Sequence, residues 1–232
     1  MVMSGLPALE TLRAGSLLAI PAGRRSASGL HAIAKRAIDI VVSAAALVVL
    51  GLPMAILALL VRADGGPAMF SHTRIGRDGK PFGCLKFRSM VPDAEARLAA
   101  VLASDEAARA EWAATRKLKN DPRVTAVGRF LRSTSLDELP QLINVLRGDM
   151  SLVGPRPVQA SELALYYGAA AEHYQAVRPG ITGPWQISGR NETSYDRRVA
   201  LDVAYATKPS LLEDMKILMR TPAVVLLRRG AY

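Results

Sequence analysis

The sequence is short of several things that common functions need. It has a single cysteine, Cys84, so neither an intramolecular disulfide nor a cysteine-cluster zinc site can form. Its 3 histidines (His31, His72, His173) are scattered, which argues against a histidine-rich metal centre. No P-loop, G-x-G-x-x-G, H-E-x-x-H or G-x-S-x-G occurs, so the standard ATPase, Rossmann dehydrogenase, zinc protease and α/β-hydrolase readings lose support. Helix-turn-helix signatures and aromatic stacking sets are absent too, and aromatics are only 5% of the chain, which weakens a nucleic-acid reading.

Acidic residues are in the minority. Lys+Arg number 30 and Asp+Glu 20, a net charge of +10 that suggests an anionic partner: nucleic acid, a membrane surface or a phosphorylated substrate. Half of the 232 residues are apolar and mean hydropathy is +0.16, which excludes disorder as the main state.

Charge is missing altogether from Ile40 to Val61, where Ser43 carries the only side-chain hydrogen-bonding group. As a helix this run is roughly 33 Å long, against about 30 Å of bilayer hydrocarbon. It begins too far into the chain for a cleaved signal peptide, and Asp39 with Lys35-Arg36 abuts it. Both flanks are basic: Arg13, Arg24, Arg25, Lys35 and Arg36 before it; Arg62, Arg74, Arg77, Lys80, Lys86 and Arg88 after it. By the positive-inside rule both flanks belong on one face. Pro53, next to Gly51 and Leu52, removes a backbone donor in mid-run, and a helix bent there can enter and leave by the same side.

The expected fold is therefore α+β and mostly helical. Residues 1–33 read as a poorly ordered lead-in, 34–62 as a re-entrant membrane helix hairpin, and 63–232 as a small cytoplasmic domain. In that domain Ala68–His72 and Phe82–Arg88 are predicted to form a β-hairpin around Arg77-Asp-Gly-Lys-Pro81. Helices are predicted near 94–112, 126–132, 136–146, 159–176, 195–207 and 211–228. The last, with Met215, Leu218 and Met219 beside Lys216, Arg220, Arg228 and Arg229, suits an anionic membrane surface.

The densest chemistry lies in 128–157. Asp137 and Glu138 follow Arg129 and Arg132. Ser135-Leu-Asp-Glu138 matches a capping box, an ordinary structural device. Pro140 disturbs that reading, since it disfavours helix at Leu139. The helix is then either kinked or starts later, leaving the acids on an irregular turn. An ionised carboxylate can attack phosphorus and carry it covalently, provided cations screen the approach of two anions. Lys86, Arg88, Arg132 and Arg156 are candidates, and a Mg²⁺ held by the second carboxylate would fit.

These residues sit within a longer series: Lys35-Arg-Ala-Ile-Asp39, Gly66-Pro-Ala-Met-Phe70, Arg74-Ile-Gly76, Lys86-Phe-Arg-Ser-Met90, Asp121-Pro-Arg-Val-Thr125, Ser135-Leu-Asp-Glu-Leu-Pro-Gln-Leu142, Val153-Gly-Pro-Arg-Pro157, 178–190 and Asp214-Met-Lys-Ile217. In content and order the series resembles the bacterial sugar transferase family, the monotopic phosphoglycosyl transferases, most of all its short exopolysaccharide-priming members. The resemblance implies transfer of sugar-1-phosphate from a UDP-sugar to undecaprenyl phosphate with release of UMP, at the cytoplasmic face of a bacterial inner membrane. It implies Asp137 as nucleophile and Glu138 as an aid to Mg²⁺ binding. Lys86, Arg88, Arg132 and Arg156 are implied around the phosphates. Leu52 stands where the family often has Ser before the breaking proline, and Ile38 where it has an aromatic.

Trp185 is a candidate for stacking on uracil or sugar, or for anchoring at the membrane interface, and Arg190 for meeting a phosphate. Cys84 reads as a core thiol, Asp196 and Asp202 as structural. Expected partners are the UDP-sugar, undecaprenyl phosphate and the membrane, without nucleic acid; a homodimer is compatible. The competing reading is a non-catalytic, membrane-tethered basic protein that binds anionic lipid or nucleic acid.

Overall fold

A computed structural model describes residues 29–115, 118–188 and 193–226. Arg190 and residues 1–28 lie outside the described residues, so the expectations on them have no structural counterpart.

The first element, α1 (Gly29–Arg62), is a helix of 34 residues that continues through Pro53. It is long and apolar enough to cross a membrane. Val48, Val49, Leu52 and Leu59 are exposed along it, whereas Asp39, Ser43 and Val61 are buried. The polar end of the helix is thus inside the protein and much of its greasy middle outside, the reverse of a soluble core helix.

Both ends of α1 are tied to the same folded body. Near its start, Arg36 donates to the carbonyls of Val145 and Leu146 at 2.6 and 2.9 Å. These belong to the last turn of α5 (Gln141–Arg147), where the Gly148 amide already bonds to Asn144 and Val145 and Arg36 adds a side-chain donor to the helix end. Asp39 accepts from the Leu152 amide and the Ser151 hydroxyl, both at 3.1 Å, and Lys35 donates to Asp214 at 2.8 Å. At the far end, Arg88 donates to the Val61 carbonyl at 2.8 Å and also pairs with Asp64. Met54, Leu57 and Ala58 pack with Val61 against Phe87 and Leu131.

The expected hairpin is present: β1 (Met69–Ile75) pairs antiparallel with β2 (Pro81–Phe87). Asp78 and Gly79 close it at φ 58° and 73°, a left-handed pair that Asp-Gly tolerates. Asn144, fully buried on α5, receives the Leu85 amide at 2.9 Å and donates to the Gly83 carbonyl at 2.8 Å, so one amide docks the helix on β2.

The predicted helix over 94–112 is two, α2 (Ala94–Ser104) and α3 (Glu106–Thr115). Asp105 divides them by accepting the Ala108 amide at 3.0 Å, a capping role that competes with helix continuation. The α4 helix (Ala126–Thr134) is capped by Thr125, which accepts the Gly128 amide at 2.8 Å.

Two further strands are only three residues long. β3 (Ser151–Val153) runs parallel to β4 (Gly180–Thr182). Their backbones approach so closely that a Cβ on Gly180 would collide with the Gly154 nitrogen, which is why glycine occupies both strands' ends. The expected helix over 159–176 is instead α6 (Ala160–Glu162), a wide turn over Leu163–Tyr167, a left-handed Gly168 and α7 (Ala171–Ala176). Then α8 (Tyr195–Thr207) and α9 (Leu211–Leu226) follow much as expected, while Arg228 and Arg229 lie outside the described residues. Asp202 accepts the Tyr167 hydroxyl at 2.8 Å and Tyr205 donates to Asp214 at 2.7 Å, holding α8 in place. Cys84 is buried in the core with Val145, Met150 and Ile217.

Both ends of α1 are held by one body although the helix is unbroken at Pro53, and the sequence expects both flanks on one side of a membrane. Cysteines placed at Leu30 and Lys80 should react with an impermeant maleimide from the same side of sealed vesicles, Cys84 remaining silent through burial. Labelling from opposite sides would establish a spanning helix.

Candidate active site

Asp137 and Glu138 fall on a tight 3₁₀ turn, Leu136–Glu138, between α4 and α5. Ser135 does not cap a helix here: it sits at φ 58° in the left-handed region and makes no side-chain capping bond. Pro140 precedes the first residue of α5, where its missing N–H costs nothing. Of the two arrangements the sequence allowed, the later helix start is the one adopted.

The turn forms one wall of a cleft of about 690 Å³. Lys86 reaches in from β2 and Arg156 from the loop after β3. Both donate to the same oxygen of Glu138, Oε1, at 2.7 and 3.0 Å. Lys86 Nζ also stands 3.5 Å from Asp137 Oδ2. Arg132 lines the cleft too, its Nε bonded to Ser89 Oγ at 2.8 Å. Leu136, Leu139, Ile181, Ile187, Val224 and Val225 make an apolar side to the same space.

The two neighbouring carboxylates differ electrostatically. Burial raises the Asp137 pKa, Glu138 adds to the rise, and the nearby cations offset only part of it. Burial acts on Glu138 in the same sense, but Arg156 and Lys86 outweigh it and hold its pKa at about 2. Glu138 is therefore a fixed anion. Asp137 is the weaker acid of the two and carries no direct hydrogen bond as strong as those on its neighbour.

Arg88 is not part of this cleft. Its five donors are consumed by Asp64, the Val61, Pro67 and Met90 carbonyls, and its guanidinium is buried. The structure thus places Arg88 away from the phosphate-facing position expected from sequence: alternation alone would put it on the face of Lys86, but β2 ends at Phe87 and the backbone beyond turns Arg88 to the end of α1. Trp185 does line the cleft but is buried, with Arg198 4.4 Å and Arg156 5.9 Å above its ring. Its surroundings suit a platform for cations better than an exposed interface anchor.

Sequence reading missed several lining residues. The hairpin register puts Phe70, His72 and Arg74 on the same face as Lys86. Arg74 pairs with Glu162 at 3.0 Å and donates to His72 Nδ1 at 3.3 Å, and Tyr195 donates to Glu162 at 3.1 Å. The period-2 pattern of β1 could have indicated the first three; nothing local in sequence indicated Arg198 or Tyr195. Gln186 also borders the cleft, its amide buried and without a partner among the described residues.

Among the described residues no group of three or more Asp, Glu, His or Cys gathers to hold a metal. The donors available to Mg²⁺ are Asp137 and the second oxygen of Glu138. Two carboxylates, completed by phosphate oxygens and water, are the usual protein contribution for this ion, so the residues present fit it.

The family model described as bacterial sugar transferase matches residues 30–228. The chain belongs to the bacterial sugar transferase family. It is 54% identical over 198 residues to the undecaprenyl-phosphate galactose phosphotransferase of Salmonella typhimurium, covering 85% of this chain but 41% of that one. It is 47% identical over 223 residues to the exopolysaccharide production protein ExoY of Rhizobium meliloti, covering 96% of this chain and 98% of the relative. With the UDP-glucose:undecaprenyl-phosphate glucose-1-phosphate transferase of Escherichia coli it shares 41% over 214 residues, 43% of that protein's length. The chain thus spans about two fifths of the Salmonella and Escherichia relatives and nearly all of ExoY.

The reassignment of Arg88 is measurable. Arg88→Gln strands the Asp64 carboxylate and several carbonyls, and should lower the thermal unfolding midpoint by roughly 5–10 °C. An unchanged midpoint would return Arg88 to the candidates for ligand binding.

Proposed function

We propose that the protein transfers sugar-1-phosphate from a UDP-sugar to undecaprenyl phosphate, releasing UMP, through a phospho-sugar carried on Asp137. The observation that carries this reading is the pairing of a fixed anion with a weaker neighbouring acid inside a cleft lined both by Lys86, Arg132 and Arg156 and by apolar residues. The names borne by the relatives point the same way.

In the first step an Asp137 oxygen attacks the sugar-bearing phosphorus of the UDP-sugar. The bond from that phosphorus to the bridging oxygen breaks, and UMP leaves with the electron pair. In the second step a phosphate oxygen of the lipid attacks the same phosphorus, and the Asp137 carboxylate is released. Lys86, 3.5 Å from Asp137, screens the approach of carboxylate to phosphate, and Arg156 and Arg132 take up charge on the phosphoryl oxygens. Glu138 keeps Lys86 and Arg156 in position. Mg²⁺, bound by Asp137 or Glu138 together with the diphosphate, would add charge neutralisation.

The apolar side of the cleft suits a lipid acceptor, and α1 suits insertion into one leaflet of the bacterial inner membrane. Because Arg36 and Asp39 at one end and Val61 at the other bond to the same body, an immersed α1 dips in and returns rather than crossing. The site would then open on the cytoplasmic face, where UDP-sugars are found.

Asp137→Asn should abolish UMP release and remove any phospho-sugar adduct from the intact mass of the protein; near wild-type turnover would place the nucleophile elsewhere. The pH profile carries a second expectation. The nucleophile must be ionised, so kcat/KM should fall as pH drops through the Asp137 pKa, which lies above the ordinary Asp value of 3.8. Glu138→Gln removes the adjacent negative charge and frees two cations, so the acid limb should move to lower pH. A limb that stays in place would contradict the coupling of the pair.

A further inference from the structure

The cations and the apolar wall account for phosphates and lipid, but not for the end of the cleft formed by His72, Arg74, Glu162 and Tyr195. These side chains come from β1, α6 and α8 and join in one chain of hydrogen bonds: Tyr195 to Glu162 at 3.1 Å, Arg74 to Glu162 at 3.0 Å, Arg74 to His72 at 3.3 Å. Glu162 is fixed further by the Gln159 amide at 2.9 Å. A guanidinium can only donate, so His72 Nδ1 accepts and the ring proton sits on Nε2. Burial, with Arg74 and Lys86 nearby, lowers the His72 pKa and keeps the ring neutral.

We propose that His72 is a sugar-binding, specificity-determining residue whose Nε2–H donates to a hydroxyl of the donor hexose. This rests on the transferase reading above. Position is the first argument. In the hairpin His72 is opposite Cys84 and Phe70 opposite Lys86, so His72 and Lys86 are diagonal neighbours on one face, about 7–8 Å apart. Lys86 in turn reaches Asp137. The hexose is bonded through one oxygen to the phosphorus that Asp137 attacks, so it must lie beside Lys86.

Chemistry is the second argument. A neutral donor in a network of mixed donors and acceptors matches hydroxyl groups, whereas phosphates favour the permanent charges of Lys86, Arg132 and Arg156. A nucleobase would seek an open aromatic face. The rings beside Glu162 already carry partners, since Tyr195 stacks on Tyr166 at 3.7 Å and lies under Arg198 at 4.9 Å, and Trp185 lies under Arg198; the open ring of the cleft is Phe70, opposite Lys86 rather than His72. Arg74 is anchored by Glu162 independently of the imidazole, so the network survives loss of the ring.

The test compares wild type, His72→Ala and His72→Gln, as the full chain in detergent with undecaprenyl phosphate and Mg²⁺. UMP release is followed from UDP-galactose and UDP-glucose, and UDP serves as a sugar-free inhibitor. The expected result is a fall of about tenfold in kcat/KM for the preferred UDP-hexose in His72→Ala, the scale of one lost hydrogen bond, with a narrowed ratio between the two epimers. The inhibition constant of UDP and the KM of the lipid should not move, and His72→Gln, which restores a neutral N–H, should recover most of the loss. Equal weakening of UDP would make His72 a nucleotide contact, and an unchanged epimer ratio would deny it a part in specificity; either overturns the proposal while the transferase reading stands. Absence of UMP release from wild type with both donors would overturn the transferase reading and this one with it.

Discussion

One carboxylate oxygen holds the site together. Glu138 Oε1 receives Lys86 from the hairpin and Arg156 from the loop after β3, while Glu138 itself rides on the turn between α4 and α5. Three segments remote in sequence converge on that atom. Part-buried charges so arranged are costly unless every partner is present, so the clamp is all-or-none: removing one member leaves the others stranded. The turn is itself committed, by a left-handed Ser135 on one side and Pro140 on the other, so the acids cannot retreat into a regular helix.

This clamp also separates two chemically similar neighbours. Its cations are spent on Glu138, which is driven to the charged state, while burial weighs on Asp137 with less compensation. The division suits a pair in which one member organises charge and the other reacts. It places the ionisation of Asp137 under the control of whatever else enters the cleft: an added cation would favour the carboxylate form and an added anion would oppose it.

Much of this was legible in the chain, for identifiable reasons. The uncharged run over Ile40–Val61, the Asp-Gly turn and the proline after the acidic pair each act through local physics, and α1, the β1–β2 hairpin and the irregular turn all appear where those signals lie. What sequence did not disclose depends on contacts between distant segments. Arg88 and Lys86 share one motif and, by alternation, would share a face, yet one caps the end of α1 and the other faces the cleft, because β2 ends at Phe87 between them. The parallel β3–β4 pair was hidden because each strand is three residues long and its pairing depends on glycine-to-glycine contact rather than on a run of β-formers. Arg198 could not be assigned from its surroundings in sequence, since its place over Trp185 arises only when α8 packs on α7 and the Leu163–Tyr167 turn.

The basic residues flanking α1 show how far positive charge can mislead when counted rather than located. Arg36 and Arg88 both satisfy the basic-flank pattern, and both are consumed within the protein, one on the exposed carbonyls ending α5 and the other on the carbonyl of Val61 at the end of α1. Neither is available to meet a headgroup. Each ties one end of the apolar helix to the same folded body. A straight crossing would require one of these ties to break and leave a buried guanidinium or its carbonyl acceptors unpaired in a region without water. The same two arginines therefore position the acidic turn relative to α1, since Arg36 fixes the end of α5, the helix that follows Asp137-Glu138, and Arg88 fixes the end of β2, the strand that carries Lys86.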